Sequence, residues 1–598
     1  MFSDFDSAKI IKRRSFLIII ISVLFSIIIV LRLFFLQIIN GDLYRKKSNQ
    51  NRISTKITPP IRGDIHDSDG ILVAGTISSY SFVFYNYLNK NYQGHADEIG
   101  KSELFKFKNI IDLEFDTNLF LSKLPKSNSY DYHFLKKNIN WDEIVKFEKN
   151  KFLFSSIKII ENKKRHYPNK NFSQLIGYMS ESDKSIKSFP MGAFHIEKYY
   201  DDHLKGLPGK ILNEVNAYGK IVRKISEELP LKGSSIQLTV NSDLQNFCQK
   251  LIPDDKKGSI VIMNVADGSI LSLNSNPTFN SQSFEDRNSK KINSYFNNND
   301  NPMLNRAFSG FYPPGSVFKP LPALLALEKN IINKDTSFYC NGSTTIDGYS
   351  KKFHCWKKHG HGKVNLKKAI KESCDVFFFE LAKLINIDDL SDLATEMGYN
   401  QKYSIGLSNE RKGLVPNKKW KKNKLDQSWG KGDNLNTCIG QGFNQVSPLQ
   451  LAVHYNSIIH GGIYPIPKII KSHKTIFQGR KIDPIHQNFI LNALDSVVNE
   501  FGGTANKLTR SNPNYIKIAG KTGTSQVIRI KESDREDDLY KTKKKLDKFI
   551  DHSVFVGFGP LPNPKYIASI IIENGGSGSS VAAPLAHEAL NFASKLNV

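Results

Sequence analysis

Three short motifs, in one order along the chain, contain the residue types of an acyl-transfer site. They are Ser316-Val-Phe-Lys319, Ser373-Cys-Asp375 and Lys521-Thr-Gly-Thr524. A serine followed three positions later by a lysine at a helix start places hydroxyl and amine on one face, so the amine can take the hydroxyl proton. Ser-x-x-Lys alone is a weak signal, because it also occurs at Ser155 and Ser428 without further support. The ordered set predicts a serine enzyme that acylates itself on a penicillin-like amide.

The first two motifs would carry out the proton transfers. Ser316 is the candidate nucleophile and Lys319 its base, which requires that burial or nearby positive charge, such as Lys521, depress the amine pKa. Ser373 is placed to relay a proton between the base and the leaving amine. Asp375 is expected to accept a hydrogen bond from the substrate or from a lysine.

The third motif has the residue types of a substrate-holding strand. Lys521 and Thr522 suit recognition of a terminal carboxylate, and Gly523 allows close approach of an extended peptide to a strand edge. The backbone N–H groups of Ser316 and Thr524 are the candidates for an oxyanion hole. No cofactor is expected for this chemistry.

Three of the five cysteines cluster with histidines within 35 positions, and the last of them is the middle residue of the second motif. Three thiolates and one imidazole make a complete tetrahedral zinc set, closed to water and therefore structural. Such a metal would hold the long insert between Ser316 and Ser373 against the site. The predicted ligands are Cys340, Cys355, His361 and Cys374, with His359 as the substitute ligand.

Two alternatives to zinc remain open for these cysteines. A Cys340–Cys355 disulfide is favoured by an oxidising compartment, and plain unpaired thiols are the other alternative. Cys248, within a predicted helix, and Cys438 are predicted to be small core residues.

The elements that position the motifs predict an α+β catalytic domain. Strand candidates at both ends of the C-terminal region enclose helical stretches, which indicates one sheet with helices on its faces. Asp267-Gly268 is typical of a hairpin turn. The predicted strands are 236–240, 258–265, 270–273, 516–519, 553–558 and 566–572, and the predicted helices are 243–251, 321–328, 366–384 and 449–459.

The N-terminal region predicts a membrane anchor. An apolar run from Phe16 to Ile39 is interrupted only by Ser22, Ser26, Arg32 and Gln37; it is long enough to cross a bilayer and follows basic residues. We expect residues 1–14 to be a cytoplasmic tail, 15–39 the anchor, 40–234 a non-catalytic pedestal and 235–598 the catalytic domain outside the cytoplasm.

The strongly basic composition is compatible with a membrane-bound protein. The formal net charge is +26, which favours anionic membrane or polymer surfaces. The lysines are scattered and no nucleic-acid-binding motif accompanies them, so nucleic acid is not an expected partner.

Together these motifs resemble the class B penicillin-binding proteins, in particular their cell-elongation members. The resemblance is nearly full length. Beyond the catalytic motifs, it rests on Arg62-Gly-Asp-Ile65, Gly192-Ala-Phe-His-Ile-Glu197, Gly209–Arg223, Tyr312–Lys319 and Trp429–Gln450. An Asp at the third position of the second motif, where many relatives carry Asn, favours the elongation type. One departure is Val554, where a Trp is expected, which affects the wall of the site.

The resemblance implies a single anchor in the inner membrane, an elongated β-rich dimerisation domain, and a periplasmic transpeptidase domain with an antiparallel sheet flanked by helices. It implies a serine-type D,D-transpeptidase that attacks D-Ala-D-Ala of peptidoglycan stem peptides through Ser316 and is inhibited by β-lactams. Implied partners are lipid-linked precursors, a membrane glycosyltransferase of the shape, elongation, division and sporulation family, and other elongation proteins. The alternatives are a septal transpeptidase, a β-lactam sensor or hydrolase, and a catalytically silent scaffold that activates a glycosyltransferase.

Overall fold

The computed structural model describes residues 4–85, 95–113, 115–122, 132–180, 189–216, 221–348, 352–510, 516–527 and 549–598. The described chain forms two compact units. Unit 1 comprises the described residues of Met1–Ile61, Ile77–Lys164 and Gly206–Lys232, and unit 2 comprises those of Arg62–Thr76, Arg165–Lys205 and Gly233–Val598. Unit 2 therefore includes two segments of the range predicted as the pedestal.

Unit 1 begins with a long apolar helix. The helix Asp4–Phe34 continues as a π-helical turn, Phe35–Ile39. Residues Arg13–Ile39 form the one helical stretch in the described chain that is long and apolar enough to cross a membrane. The predicted membrane anchor coincides with this stretch.

The rest of unit 1 contains a small sheet and an aromatic core. Ile53–Thr58, Gly209–Val215 and Ile221–Glu228 form an antiparallel sheet in that order, which confirms the hairpin pairing predicted within 209–223; its turn at 217–220 lies outside the described residues. Phe82, Phe107 and Phe147 pack edge to face or tilted in a buried cluster. The other elements are helices Gly41–Arg52, His95–Ile111, Thr117–Ser122 and Trp141–Lys149, the 3-10 turn Lys151–Leu153, strand Tyr132–Lys136, and the parts of Leu72–Tyr85 and Ile157–His166 that belong to this unit.

Unit 2 is organised around a five-stranded antiparallel sheet. Its spatial order is Ile270–Asn276, Gly258–Asn264, Tyr566–Ile572, His552–Gly559 and Ala519–Ser525. Gly258–Asn264 and Tyr566–Ile572, two of the three inner strands, are almost wholly buried, which explains their continuous apolar sequences. The predicted hairpin at Asp267-Gly268 is confirmed, with Gly268 at φ +73° as such a turn requires.

Helices cover this sheet and complete the α+β fold predicted from the sequence. Pro484–Asn499 packs on Ala519–Ser525, whereas Ala582–Leu596 and Pro448–Ile459 pack on the central strands. The remaining helices are Ser173–Ile176, His195–Tyr199, Asp201–Leu204, Ser242–Leu251, Gln282–Glu285, Ser289–Phe296, Pro320–Glu328, Leu366–Lys371, Asp375–Ala382, Ile387–Glu396, Lys418–Leu425, Lys431–Cys438 and Lys507–Arg510, with 3-10 turns Lys170–Phe172 and Gly315–Phe318. Short strand pairs complete the unit: Ile65–His66 with Ile236–Gln237, Met179–Ser180 with Met191–Gly192, Ser337–Cys340 with Gly362–Asn365, Ser343–Thr345 with Lys352–His354, and Ile463–Pro465 with Phe477–Gly479.

Two predicted elements differ from those observed. The single helix predicted over 366–384 is broken into Leu366–Lys371 and Asp375–Ala382, because Ser373 adopts a left-handed conformation with φ +57°. The strand predicted over 516–519 begins at Ala519 and includes the whole third motif, rather than ending before it. Both differences place catalytic-motif residues at backbone positions that a propensity pattern does not specify.

A buried ion-pair network joins the non-catalytic motifs of unit 2. The Arg62 guanidinium lies 2.7 Å from carboxylate oxygens of both Glu197 and Asp201, and the Arg165 guanidinium lies 2.8 Å from Glu197. Removing one member would leave an uncompensated buried charge, which destabilises proteins strongly. The network gives Arg62-Gly-Asp-Ile65 and the segment ending at Glu197 a structural role.

Candidate active site

Ser316 lies on a 3-10 turn, Gly315–Phe318, that leads directly into the helix Pro320–Glu328. Gly315 has φ +58°, and a Cβ there would lie 2.6 Å from the carbonyl oxygen of Thr524. Only glycine fits this position. The Gly315 N–H also donates to the Gly440 carbonyl at 2.8 Å. The turn therefore fixes Ser316 beside the third motif.

Lys319 is fully buried and bonded to the second motif. Its Nζ lies 2.8 Å from Asp375 Oδ1, 2.9 Å from the Ser373 carbonyl oxygen and 3.4 Å from Ser373 Oγ. The left-handed conformation of Ser373 lets its carbonyl and its hydroxyl face the same amine. The first two motifs are thus brought into direct contact, as their proposed chemistry requires.

Lys521, the basic residue of the third motif, is also fully buried. Its Nζ lies 3.2 Å from the Thr522 carbonyl oxygen. Burial, and then the positive charge of Lys319, hold the pKa of Lys521 well below its usual range; Asp375 opposes the shift. The residue that was predicted to lower the pKa of Lys319 thus has a lowered pKa itself, chiefly because it is buried. Asp375 pairs with Lys319, whereas Lys521 has no ion pair in the described chain.

The third motif lies on an edge strand of the described sheet, and its residues are buried except for the partly exposed Thr524. Ala519–Ser525 is bonded to His552–Gly559 on one side and ends the strand order. A Cβ at Gly523 would lie 3.0 Å from the Pro314 carbonyl oxygen, so glycine lets the strand approach the Ser316 turn. Val554, the residue of the unexpected type, pairs with Gly523 on the adjacent strand and is fully buried.

Two residues at the site had no predicted role. The Gln441 side-chain amide donates to the Thr524 carbonyl at 3.1 Å. The Trp356 backbone N–H donates to Asp375 Oδ2 at 2.9 Å, and its indole N–H lies 3.1 Å from the Ser373 carbonyl oxygen. In the run Ile439-Gly-Gln-Gly442, Gln441 is flanked by two glycines, and this pattern could have indicated its role. No sequence pattern pointed to Trp356.

The four predicted metal ligands converge on one buried cluster. The sulfur atoms of Cys340, Cys355 and Cys374 and a ring nitrogen of His361 all lie within 4.8 Å of one another. His359 is exposed and lies outside this cluster. None of the five cysteines, all within the described chain, forms a disulfide.

The separations within the cluster match a tetrahedral ion. His361 Nδ1 lies 3.6 Å from the sulfur of Cys340 and 3.5 Å from that of Cys355. With Zn–S near 2.3 Å and Zn–N near 2.1 Å, a tetrahedral zinc separates sulfur and nitrogen ligands by about 3.6 Å. A hydrogen bond between the two thiols lowers the pKa of Cys355 and raises the pKa of Cys374, so the pair favours one thiolate. The donor set and its geometry therefore fit zinc.

The two other cysteines behave differently. Cys248 and Cys438 are fully buried, and burial raises the pKa of each thiol to about 12. Both are small core residues, as predicted.

Comparisons with known proteins agree across both sequence and structure. Residues 57–238 match the family described as "Penicillin-binding Protein dimerisation domain", and residues 258–591 match "Penicillin binding protein transpeptidase domain". The chain is 30% identical to the peptidoglycan D,D-transpeptidase MrdA of Haemophilus influenzae over 93% of this chain and 88% of the relative. It is likewise 30% identical to the MrdA of Escherichia coli K12, over 97% and 94% of the two chains.

Solved structures show the same architecture. The chain is similar to the penicillin-binding protein PBP2 of Helicobacter pylori in complex with MreC, with a TM-score of 0.76 and 26% identity over 91% of this chain and 99% of that one. It also shares its fold with a chain of a peptidoglycan synthase complex that coordinates polymerization and crosslinking, with a TM-score of 0.70 and 22% identity over 98% of both chains.

Proposed function

The chain belongs to the class B penicillin-binding proteins, and on that premise we propose that it is a peptidoglycan D,D-transpeptidase that cross-links stem peptides during cell elongation. The observation that carries the proposal is the contact between the first two motifs: the buried Lys319 bonds to both Ser373 and Asp375 beside the Ser316 turn. The similarity to MrdA transpeptidases favours the elongation type over the septal alternative.

In the acylation step, Ser316 Oγ attacks the carbonyl carbon between the two D-Ala residues of the donor peptide. A C–O bond forms, the C–N bond breaks, and the serine proton leaves with D-Ala. Lys319 takes that proton, and Ser373, 3.4 Å from Lys319 Nζ, relays it to the leaving amine. The negative oxygen of the intermediate is held by the backbone N–H groups of Ser316 and Thr524.

Substrate binding falls to the edge strand of the third motif. Thr522, Gly523 and Thr524 offer backbone groups to an extended peptide, and Lys521 provides the positive charge for its terminal carboxylate. Because the resting pKa of Lys521 is low, arrival of the carboxylate would favour proton uptake there. Lys521 therefore couples donor binding to the protonation state of the site.

A structural zinc on Cys340, Cys355, His361 and Cys374 is part of the proposal. The burial of all four residues and the tetrahedral separations support it over a Cys340–Cys355 disulfide. When bound, zinc would cross-link the insert to the second motif, since Cys374 is the middle residue of that motif.

The proposed setting is the inner membrane, with the catalytic domain in the periplasm. The apolar stretch Arg13–Ile39 provides a single crossing. The proposed partners are an MreC-type elongation protein and a membrane glycosyltransferase, which the PBP2–MreC complex and the peptidoglycan synthase complex support. Lipid-linked precursors and stem peptides are the proposed substrates, and β-lactams the inhibitors.

The test is covalent capture of a penicillin by the full chain in detergent, followed by intact mass. Wild type is expected to gain one lasting adduct that Ser316→Ala lacks. Ser428→Ala, in the exposed Ser428-x-x-Lys431 sequence, is the matched control and keeps the adduct. An adduct that disappears within seconds would favour a hydrolase, and a folded wild type without an adduct would favour a scaffold.

A further inference from the structure

The segment Trp356–His359, here called the cationic loop, projects from the insert beside the second motif. All four residues are exposed, and Trp356 retains 61% of its exposure. The residues on either side are fixed: Cys355 N–H donates to the Gly342 carbonyl at 2.8 Å and His361 N–H to the Cys340 carbonyl at 3.0 Å. The loop is therefore an exposed segment on a rigid base.

Trp356 places this loop against the catalytic groups. It bonds through its backbone N–H to Asp375 and through its indole N–H to the Ser373 carbonyl oxygen, the two residues that also bind Lys319. These bonds occupy the polar edge of the indole and leave most of the ring exposed. An immobilised, exposed aromatic face next to a proton-transfer group suits contact with a second substrate.

Two lysines give the loop its charge. Lys357 and Lys358 are exposed and form no salt bridge with any described residue, unlike Lys367 and Lys371, which both pair with Glu500. Unpaired surface lysines attract and orient anionic ligands. The loop thus presents an aromatic face and two free positive charges on the second-motif side of Lys319.

We propose that the cationic loop binds the acyl acceptor, an anionic peptide whose free amine attacks the acyl-enzyme. This rests on the proposed function. The strand edge of the third motif takes the donor and its carboxylate, so the second-motif side remains for a second peptide. A stem peptide bears free carboxylates, which complement Lys357 and Lys358, and its backbone can lie on the Trp356 ring.

The transfer step balances with the groups already described. The neutral acceptor amine attacks the ester carbon of acyl-Ser316; a C–N bond forms and the C–O bond to Ser316 breaks. One amine proton passes through Lys319 to Ser316 Oγ, which regenerates the hydroxyl. Binding of the acceptor next to Ser373 and Lys319 places its amine close to the base that accepts this proton.

The test separates acceptor use from acylation in the full chain in detergent. An ester-linked depsipeptide supplies the donor. The acceptors are one peptide amine with two free carboxylates and the same peptide with both carboxylates amidated. The variant is K357E/K358E, and the matched control is K290E/K291E, an exposed lysine pair on the helix Ser289–Phe296. Mass spectrometry gives aminolysis and hydrolysis products, and a fluorescent penicillin gives the acylation rate.

For K357E/K358E, the KM for the anionic acceptor is expected to rise about tenfold, and the defect should shrink in high salt. The rise in KM should be much smaller with the amidated acceptor. The rate of acylation by penicillin should change less than the rate of aminolysis, and K290E/K291E should match wild type in both.

Equal losses with both acceptors, an equal loss in the control, or an unchanged KM would each overturn the proposal. If wild type is acylated by penicillin and one of these results is obtained, the result contradicts this inference alone. Wild type without any penicillin adduct contradicts the proposed function and this inference with it.

Discussion

The acyl-transfer site and the thiol cluster meet in one tripeptide but depend on it in different ways. In Ser373-Cys374-Asp375, the outer two residues bond to Lys319, whereas Cys374 points into the cluster with Cys340 and Cys355. The transfer site needs groups that can exchange a proton with a substrate, so the partly exposed Ser316 and Asp375 lie next to the buried Lys319. The cluster is closed and buried, which suits a structural cross-link. The turn between these two helices thus presents catalytic residues on one side and a member of the thiol cluster on the other.

The largest expected effect comes from a substitution that disrupts the acyl-transfer site and leaves the thiol cluster intact. Asp375→Ala removes the carboxylate that positions the Lys319 amine and accepts from the Trp356 N–H, so we expect acylation to slow by about a hundredfold. Asp375→Asn keeps an acceptor oxygen and is expected to recover most of the rate. Stopped-flow measurement with a fluorescent penicillin checks both. Loss of metal in Asp375→Ala would contradict the separation of the two sides.

A substitution that disrupts the thiol cluster should have a smaller effect on the rate of acylation. Cys340→Ser removes one ligand, so zinc per chain is expected to fall from about one towards zero, and acylation about tenfold as the loop that carries Trp356 loosens. Metal analysis and the same penicillin assay measure the two quantities. Cys438→Ser, outside the cluster, is the control. If a reductant slowed acylation of wild type as Cys340→Ser does and a chelator did not, a disulfide would replace zinc as the explanation.

A third prediction concerns the buried amine of Lys521, whose pKa is lowered on folding. Between that lowered value and its ordinary pKa near 10.4, the unfolded chain binds more protons than the folded one, so stability rises with pH. Lys521→Met should be more stable than wild type at neutral pH, with an advantage that shrinks by up to about 1.4 kcal/mol per pH unit in that window. Denaturant unfolding from pH 7 to 10 measures this, and an advantage that grows with pH would contradict the assignment.

The smallest effect is expected in the core cysteines. Cys248→Ala removes one buried sulfur, which should lower the free energy of unfolding by about 1–2 kcal/mol and leave zinc content and penicillin capture unchanged. Thermal unfolding with metal analysis checks this. A loss of zinc would show that the cluster and the core are not independent.

Sequence order was enough to predict the chemistry, because a serine, a lysine and a Lys-Thr-Gly strand have few other uses together. The sheet was predictable from its apolar runs, such as Gly258–Asn264 and Tyr566–Ile572. The break at Ser373 was not, since a left-handed serine is stabilised by tertiary bonds to Lys319 and Trp356, not by local propensity. The role of Trp356 was hidden for the same reason, because its partners lie 16–19 positions away.

The contact at Gly315 also limits how a bacterial population can adapt. Any side chain there would collide with the Thr524 carbonyl, and the backbone shift needed to relieve the collision would displace Ser316. A side chain at this position could therefore not be used to escape an inhibitor that acylates Ser316 without damage to the transpeptidase reaction itself.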